Sequence, residues 1–227
     1  MRTRMIVSYT LLSATVLLAD SRHGQRLEDA AAILEEFMAL PEGGIPPRLL
    51  EKAHCIVIMP DLKKGAFLFG ARYGKGYMNC RAVDSQGWSA PATMRVEGGS
   101  FGFQLGASET DVILLVMNKR GADRLMQSKF TLGGTAEVAA GPMGRSASAE
   151  TDAGMLAEIL SYSRSRGVFA GVAVQGATLR TDLNANKAMY EYRLNTAEIV
   201  RDPKIKPTPA GQALVKLLNK YSPRETN

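Results

Sequence analysis

The stretch GGSFGFQLGASETDVILLVMN, residues 98–118, combines two patterns that predict strands of a curved sheet. From Ser100 to Ala107, aromatic and aliphatic residues alternate with small or polar ones, so an extended chain places the larger side chains on one face. From Val112 to Met117 the stretch is continuously apolar, which is typical of a buried strand. Glycines between the aromatic residues permit bulges and close strand packing. The stretch therefore predicts a specialised shape, and it offers hardly any side chain suited to catalysis.

The rest of the chain extends this pattern into a predicted α+β fold. A two-residue period also marks the segments CIVIMP, AFLFGARYGKGYMNCRAV, SAPATMRVEGG and VFAGVAVQGATLRTD, and it favours a strand at residues 159–163. Helical spacing of apolar residues marks RLEDAAAILEEFMAL, PPRLLEKA, RGADRLMQSKF, NANKAMYEY and PAGQALVKLLNKY. We therefore expect a curved, mostly antiparallel, glycine-rich and barrel-like sheet with flanking helices.

The N-terminal residues resemble an export signal. The basic start MRTR precedes a predominantly apolar region of 15 residues, which is short for a membrane span and suits a signal peptide over residues 1–19. An uncleaved anchor is the alternative. Residues 20–227 are long enough for one domain with a C-terminal helix. We expect the protein to be exported, either periplasmic or peripheral to the cell envelope.

The chain contains two cysteines, Cys55 and Cys80. In an exported protein they could form a disulfide, because 25 positions separate them and a loop of that length closes without strain. The alternative is a pair of small buried residues. The sequence favours this alternative, because Cys55 opens the apolar run CIVIM.

The sequence gives little support to catalysis. Its two histidines are His23 and His54, and His54 is adjacent to Cys55 on a predicted strand, where neighbouring side chains face opposite ways. The segment GARYGKG lacks the spacing and the hydroxyl residue of a phosphate-binding loop. The segment DLNANK lacks the glycine and glutamate of a calcium loop, so it indicates a turn and a helix cap, with a weak metal site as the alternative. We expect no enzyme activity, no cofactor and no metal.

Basic residues are concentrated in the segment that precedes the opening stretch. Lys63, Lys64, Arg72 and Lys75 fall within one hairpin-like region, and the whole chain carries a formal net charge of +6. Gathered on one rim, they would bind an anionic lipid headgroup. The alternative is a solvated rim that keeps the protein soluble. The chain has no long Lys/Arg block of the kind that binds nucleic acid, so we expect no nucleic-acid partner.

Several motifs together resemble one known family. The segments GGSFGFQLGASETDVILLVMN, FTLGGTAEVAAGPMGR, TDAGMLAEILSYSRSRGVFAGVAVQGATLRTD and NKAMY resemble, in this order, the SYLF domain, also called the Ysc84 or DUF500 family. The segment CIVIMPDLKKGAFLFGARYGKG looks like its opening strands. The resemblance covers a core of about residues 27–192. Ala66 and Glu191 stand where the family often has glycine, which affects local turns.

The resemblance implies a lipid-binding module. Eukaryotic members bind phosphoinositides, and some bind and bundle actin, whereas bacterial relatives are commonly exported. For an exported bacterial chain the resemblance implies binding of anionic phospholipid at a membrane surface, through a basic rim of Lys63, Lys64, Arg72 and Lys75. The alternative is a structural or interaction protein of the envelope that binds a protein partner or self-assembles.

Overall fold

A computed structural model describes the chain at residues 23–40, 44–67, 69–82, 87–101, 106–127, 129–134, 137–143, 157–165, 168–171 and 176–223. The predicted signal peptide, residues 1–19, lies outside these ranges. Within them, the helices all fall short of the length and apolar character that crossing a membrane requires.

The described residues form six helices and nine strands. The helices are α1 (23–39), α2 (Pro47–Lys52), α3 (Lys119–Leu125), α4 (Leu183–Tyr190), α5 (Thr196–Arg201) and α6 (Pro209–Tyr221). The strands are β1 (Cys55–Phe67), β2 (Phe69–Cys80), β3 (Ala92–Phe101), β4 (Gly106–Val116), β5 (Phe130–Thr131), β6 (Val138–Ala140), β7 (Ile159–Ser165), β8 (Val168–Gly171) and β9 (Thr178–Thr181).

All nine strands belong to one sheet with the order β5-β9-β3-β2-β1-β4-β7-β6, and β8 also pairs with β7. Neighbouring strands are antiparallel except for the parallel pair of β6 and β7. The sheet is curled into a half-barrel and flanked by the helices. The predicted α+β fold with a curved, mostly antiparallel sheet is therefore confirmed.

The two faces of the sheet are buried against different elements. On what we call the inner face, Val57, Met78 and Leu114 join one apolar cluster with residues of α3 and α5. This cluster draws on strands from both ends of the sheet, β5 and β6, so the sheet curls around it. On the outer face, Ile58 and Tyr77 pack with α1, α2 and α6.

A one-residue bulge in β1 decides which face its second half presents. Against β4, the step from Met59 to Leu62 is matched by a shorter step from Val112 to Thr110. Asp61 lies in this bulge with φ of 50°, and its N–H donates to Asp111 Oδ1 at 3.0 Å. The extra residue reverses the alternation of faces, because side chains of a strand alternate with period two.

The two cysteines are bonded, contrary to the favoured interpretation of the sequence. Cys55 and Cys80 are directly opposite each other in β1 and β2, and their sulfur atoms are 2.06 Å apart. The neighbouring His54 C=O accepts a hydrogen bond from the Arg81 N–H at 2.9 Å. The cysteine pair therefore occupies a non-hydrogen-bonded position, where opposite side chains lie closest. Both cysteines are buried as well as bonded.

Another expectation is corrected by the long-range pairing, and one helix was not expected. The run from Val168 to Asp182, expected to be one strand, contains two: β8 pairs with β7, and β9 pairs with β3 and β5. Helix α5 was not predicted, although Asn195 and Glu198 form a reciprocal capping box at its start.

Candidate functional site

Three of the four basic residues predicted to contact lipid lie in adjacent rows of the β1–β2 hairpin. Lys63 is opposite Tyr73, and Lys64 is opposite Arg72. We call these two pairs the basic rows. Because opposite residues share a face and consecutive residues alternate, Lys63 and Tyr73 lie on the outer face and Arg72 on the inner face. The bulge in β1 places Lys63 on the outer face.

Lys63 has an exposed ion-pair partner that it can exchange. Its Nζ is 3.2 Å from Glu109 Oε1, and the two side chains are 67% and 63% exposed. An ion pair as exposed as this contributes between zero and about 1 kcal/mol. A phosphate group can therefore replace the Glu109 carboxylate at little cost in free energy.

Lys75 lies in a more enclosed setting than Lys63. Its Nζ is 2.7 Å from Asp182 Oδ2, and its side chain is half-buried. Asp182 also caps α4, because its Oδ1 accepts the Ala185 N–H at 3.1 Å. Burial alone would raise the pKa of Asp182, but the hydrogen bonds from Lys75 and Ala185 and the charges of Lys75 and Arg95 hold that pKa below its usual value. The pair joins β2 to α4.

Two arginines that sequence reasoning missed extend the positive charge from Lys75 across the outer face. Arg95 of β3 is opposite both Lys75 of β2 and Arg180 of β9. Glu97 bridges the arginines, with its carboxylate oxygens 3.0 Å from Arg95 Nε and 3.5 Å from Arg180 Nε. The sequence contained no signal for this row, because it depends on the pairing of β3 with β9, which are far apart in the chain.

The end of the sheet beyond the basic rows contains small and aromatic residues. Four residues beyond Lys63 and Tyr73, the register places Phe67, Phe69 and Phe101 opposite one another across β1, β2 and β3. Two large apolar side chains near this end are exposed: Tyr73 is 55% exposed and Val168 is 70% exposed. The positions in between are all glycine, alanine or serine: Gly65, Ala66, Gly70, Ala71, Gly99, Ser100, Gly106 and Ala107.

Nucleophilic catalysis by Cys55 is excluded by the disulfide, since the thiolate is the reactive form of cysteine. Asp182 serves as a helix cap, as the sequence indicated. The described ranges hold no group of three or more His, Cys, Asp or Glu able to bind a metal ion.

A pocket of about 150 Å³ lies between Trp88 and the segment 200–207. Pockets that enclose small ligands usually measure about 300–1,000 Å³, so this one is too small for a phospholipid.

Comparison with known proteins identifies the family. A family model described as "Ysc84: Las17-binding protein actin regulator" matches residues 97–221, which is more than half of the chain. The chain therefore belongs to the Ysc84 family, as its sequence motifs suggested.

Named relatives agree with this assignment. LAS seventeen-binding protein 3 of Saccharomyces cerevisiae is 36% identical over 177 residues, which cover 77% of this chain and 38% of the relative. An SH3 domain-containing protein of Schizosaccharomyces pombe is 35% identical over 178 residues, covering 77% of this chain and 41% of the relative. SH3 domain-containing YSC84-like protein 1 of Homo sapiens is 30% identical over 204 residues, covering 87% and 59%. The chain thus spans less than two thirds of the length of each of these eukaryotic relatives, and its bacterial origin stays a prediction.

Proposed function

We propose that the protein is a non-enzymatic module that binds the surface of anionic phospholipid membranes through the basic rows. The observation that carries this proposal is the placement of Lys63, Lys64 and Arg72 in two adjacent rows of one hairpin, beside the exposed Tyr73. Each Lys or Arg near an anionic surface contributes about 1 kcal/mol. The three cations together support a reversible association of the protein with the membrane, and added salt should weaken it.

Lys75 belongs to the same proposal with a different role. Its ammonium group is bound to Asp182, and it lies in one row with Arg95 and Arg180. The three cations of this row contact two carboxylates: Lys75 pairs with Asp182, and both arginines pair with Glu97. Lys75 therefore adds to the long-range attraction of an anionic surface. Its ion pair with Asp182 also fixes β2 against the start of α4, next to the basic rows.

The disulfide supports the proposed location outside the cytoplasm. Disulfides persist in oxidising compartments and are rare in the cytosol. Thiol titration of the purified, denatured protein tests this point directly. We expect no free thiol without reductant and two with it, and two cysteines that react with an alkylating agent added before any reductant would contradict an oxidising location.

Vesicle co-sedimentation of the full chain tests the proposed function. We expect binding to phosphatidylglycerol vesicles and little binding to phosphatidylcholine vesicles. The double variant Lys63→Glu/Lys64→Glu should lose most of this binding, because it turns two attractive charges into repulsive ones. The matched control is Lys204→Glu/Lys206→Glu, which makes the same charge change at two exposed lysines near Trp88, at the other end of β2. Equal loss in both double variants would show that net charge, and not the hairpin, governs binding.

A second candidate function is the binding of a protein partner, or self-assembly, at the cell envelope. The names of the relatives favour it, since one is called a LAS seventeen-binding protein and the family is described as an actin regulator. Co-sedimentation with envelope protein complexes, without any affinity for vesicles, would support this candidate over the first. Co-sedimentation with actin filaments tests the partner that the family description names.

A further inference from the structure

Three cations lie side by side on the outer face of the sheet, one on each of three neighbouring strands. Arg95 of β3 is opposite Lys75 of β2 on one side and opposite Arg180 of β9 on the other. Like charges at directly opposite positions of a sheet destabilise it. The row therefore needs anions, and the distribution of its two carboxylates decides which cations remain open to a further anion.

Lys75 already has a carboxylate of its own. Its Nζ is 2.7 Å from Asp182 Oδ2, and this pair joins a half-buried side chain to a buried one. Asp182 is held in addition as the cap of α4, through the Ala185 N–H. An external anion would have to break this enclosed pair, so Lys75 adds charge to the row without offering a binding group.

Arg95 and Arg180 share the carboxylate of Glu97 and hold it loosely. Their Nε atoms are 3.0 and 3.5 Å from Glu97 oxygens, but in the described part of the chain neither Nε has a partner with hydrogen-bond geometry. The side chains of Arg95, Glu97 and Arg180 are 41%, 41% and 38% exposed. Ion pairs as exposed as these contribute little to stability, so another anion can displace the Glu97 carboxylate.

From this imbalance we propose that Arg95 and Arg180 form a binding site for a dianionic phosphoryl group, and that Glu97 occupies the site when no such group is bound. Two guanidinium groups carry two positive charges, which one carboxylate balances by half and a phosphoryl dianion balances fully. The inference goes beyond the proposed function, because the site uses none of the cations of the basic rows and needs no membrane.

The sheet positions the two arginines to bind one phosphoryl group together. Opposite residues on neighbouring strands have Cβ atoms about 4.5–5.5 Å apart, so the two side chains can reach different oxygen atoms of the same group. The planar fork of an arginine binds phosphate through two parallel hydrogen bonds. Thr178 is opposite Glu97 on the same face, and its hydroxyl can donate a further hydrogen bond to a phosphoryl oxygen.

Two sources can supply such a group, namely free phosphate and a lipid whose headgroup is a phosphomonoester. On the side away from Thr178, Glu97 is opposite Tyr73, which is in turn opposite Lys63. The site therefore borders the basic rows, so a protein bound to a membrane could use it for a headgroup. The phosphodiester of phosphatidylglycerol carries one negative charge and balances one arginine.

Isothermal titration calorimetry of the full chain with inorganic phosphate, at constant ionic strength, tests the site. Glu97→Gln removes the competing carboxylate, so we expect it to bind phosphate up to about fivefold more tightly than the wild type. Arg180→Lys keeps the charge but loses the fork, so we expect binding about tenfold weaker. The matched controls, Asp123→Asn and Arg201→Lys, make the same changes at an exposed ion pair outside the row and should bind as the wild type does.

Vesicles of phosphatidylcholine mixed with either phosphatidic acid or phosphatidylglycerol, at equal surface charge, distinguish the two sources. A preference for phosphatidic acid that grows in Glu97→Gln and is lost in Arg180→Lys would identify a lipid phosphomonoester as the ligand. Equal binding to both vesicles, together with the expected responses to inorganic phosphate, would identify free phosphate. Both outcomes support the site.

Unchanged phosphate affinity in Glu97→Gln and Arg180→Lys, or equal changes in their controls, would overturn the inference. It also fails if the wild type and Glu97→Gln both show no phosphate binding, whereas binding to phosphatidylglycerol vesicles would then leave the proposed function standing. Conversely, Lys63→Glu/Lys64→Glu should lose vesicle binding and keep phosphate binding. Circular dichroism of each variant checks that it is folded.

Discussion

At the scale of single residues, Arg81 joins two helix ends to the sheet. It follows Cys80 at the end of β2, and its guanidinium lies 4.2 Å from the centre of the Trp88 ring. The guanidinium donates at 2.8–3.3 Å to carbonyl oxygens in the last turn of α2 or directly after α2 and α6, which are those of Leu50, Glu51, Ala53 and Ser222. A helix leaves its last carbonyl groups without partners inside the helix, so a cation at this point satisfies them.

We expect Arg81→Met to lower the free energy of unfolding by about 3 kcal/mol, because several part-buried carbonyl groups lose a charged donor. Arg81→Lys should lose less, because an ammonium group keeps the charge but reaches fewer acceptors. Urea denaturation of the two variants and the wild type measures the difference. A loss below about 1 kcal/mol in Arg81→Met would show that water satisfies these carbonyl groups equally well.

Asp182 makes the free energy of unfolding depend on pH in the acid range. Its pKa is lower in the folded chain than in the unfolded chain, so its ion pair with Lys75 and its cap of α4 stabilise the fold above about pH 4 and are lost as the pH falls. We expect the melting temperature of the wild type to fall between about pH 5 and pH 2, and the Asp182→Asn variant to fall less over this range. Glu137→Gln, at an exposed position, is the control. Parallel pH profiles for Asp182→Asn and the wild type would contradict this role.

At the scale of elements, the bulge in β1 is the feature that places Lys63. Asp61 has φ of 50°, in the left-handed region that glycine and aspartate tolerate and β-branched residues avoid. We expect Asp61→Val to destabilise the fold by about 1–2 kcal/mol and Asp61→Gly to change its stability little. Urea denaturation of both variants measures this. Equal stabilities would show that the bulge is free to rearrange.

The strands could be located from the sequence, but their partners could not. The period of two located strand-forming segments in β1 to β4 and β7, because it follows from local burial, but it ended the first strand at Pro60 and joined the end of β1 to β2. The bulge at Asp61 and the pairing of β9 with β3 depend on contacts between distant segments, which leave no local pattern. Lys63 and Lys64 were therefore found as candidates, whereas Arg95 and Arg180 were not. Helix α5 could have been found from Asn195 and Glu198, which form a capping box.

Glycines in β2 serve packing inside the sheet. A side chain added at Gly74 would meet Leu62 at 2.9 Å, and one added at Gly76 would meet the Met59 side chain at 2.5 Å. The space beside these two inner-face glycines is thus filled by side chains of β1. These glycines therefore allow β1 side chains to pack directly against the backbone of β2.

At the scale of the whole molecule, described helices pack on the two faces of the sheet, and the basic rows lie at its hairpin end. The inner face packs against α3 and α5, and the outer face packs against α1, α2 and α6. The hairpin end carries the basic rows, which include the exposed Tyr73, and the exposed Val168 lies near it.

The salt dependence of vesicle binding tests the central claim most directly. Exposed charges are screened beyond about 10 Å at 0.1 M salt and about 3 Å at 1 M salt. We predict that the full chain binds phosphatidylglycerol vesicles at low salt, binds them much more weakly at high salt, and binds phosphatidylcholine vesicles poorly at either. Equal binding to both lipids at all salt concentrations, or binding to neither, would contradict the claim that the basic rows recognise an anionic membrane surface.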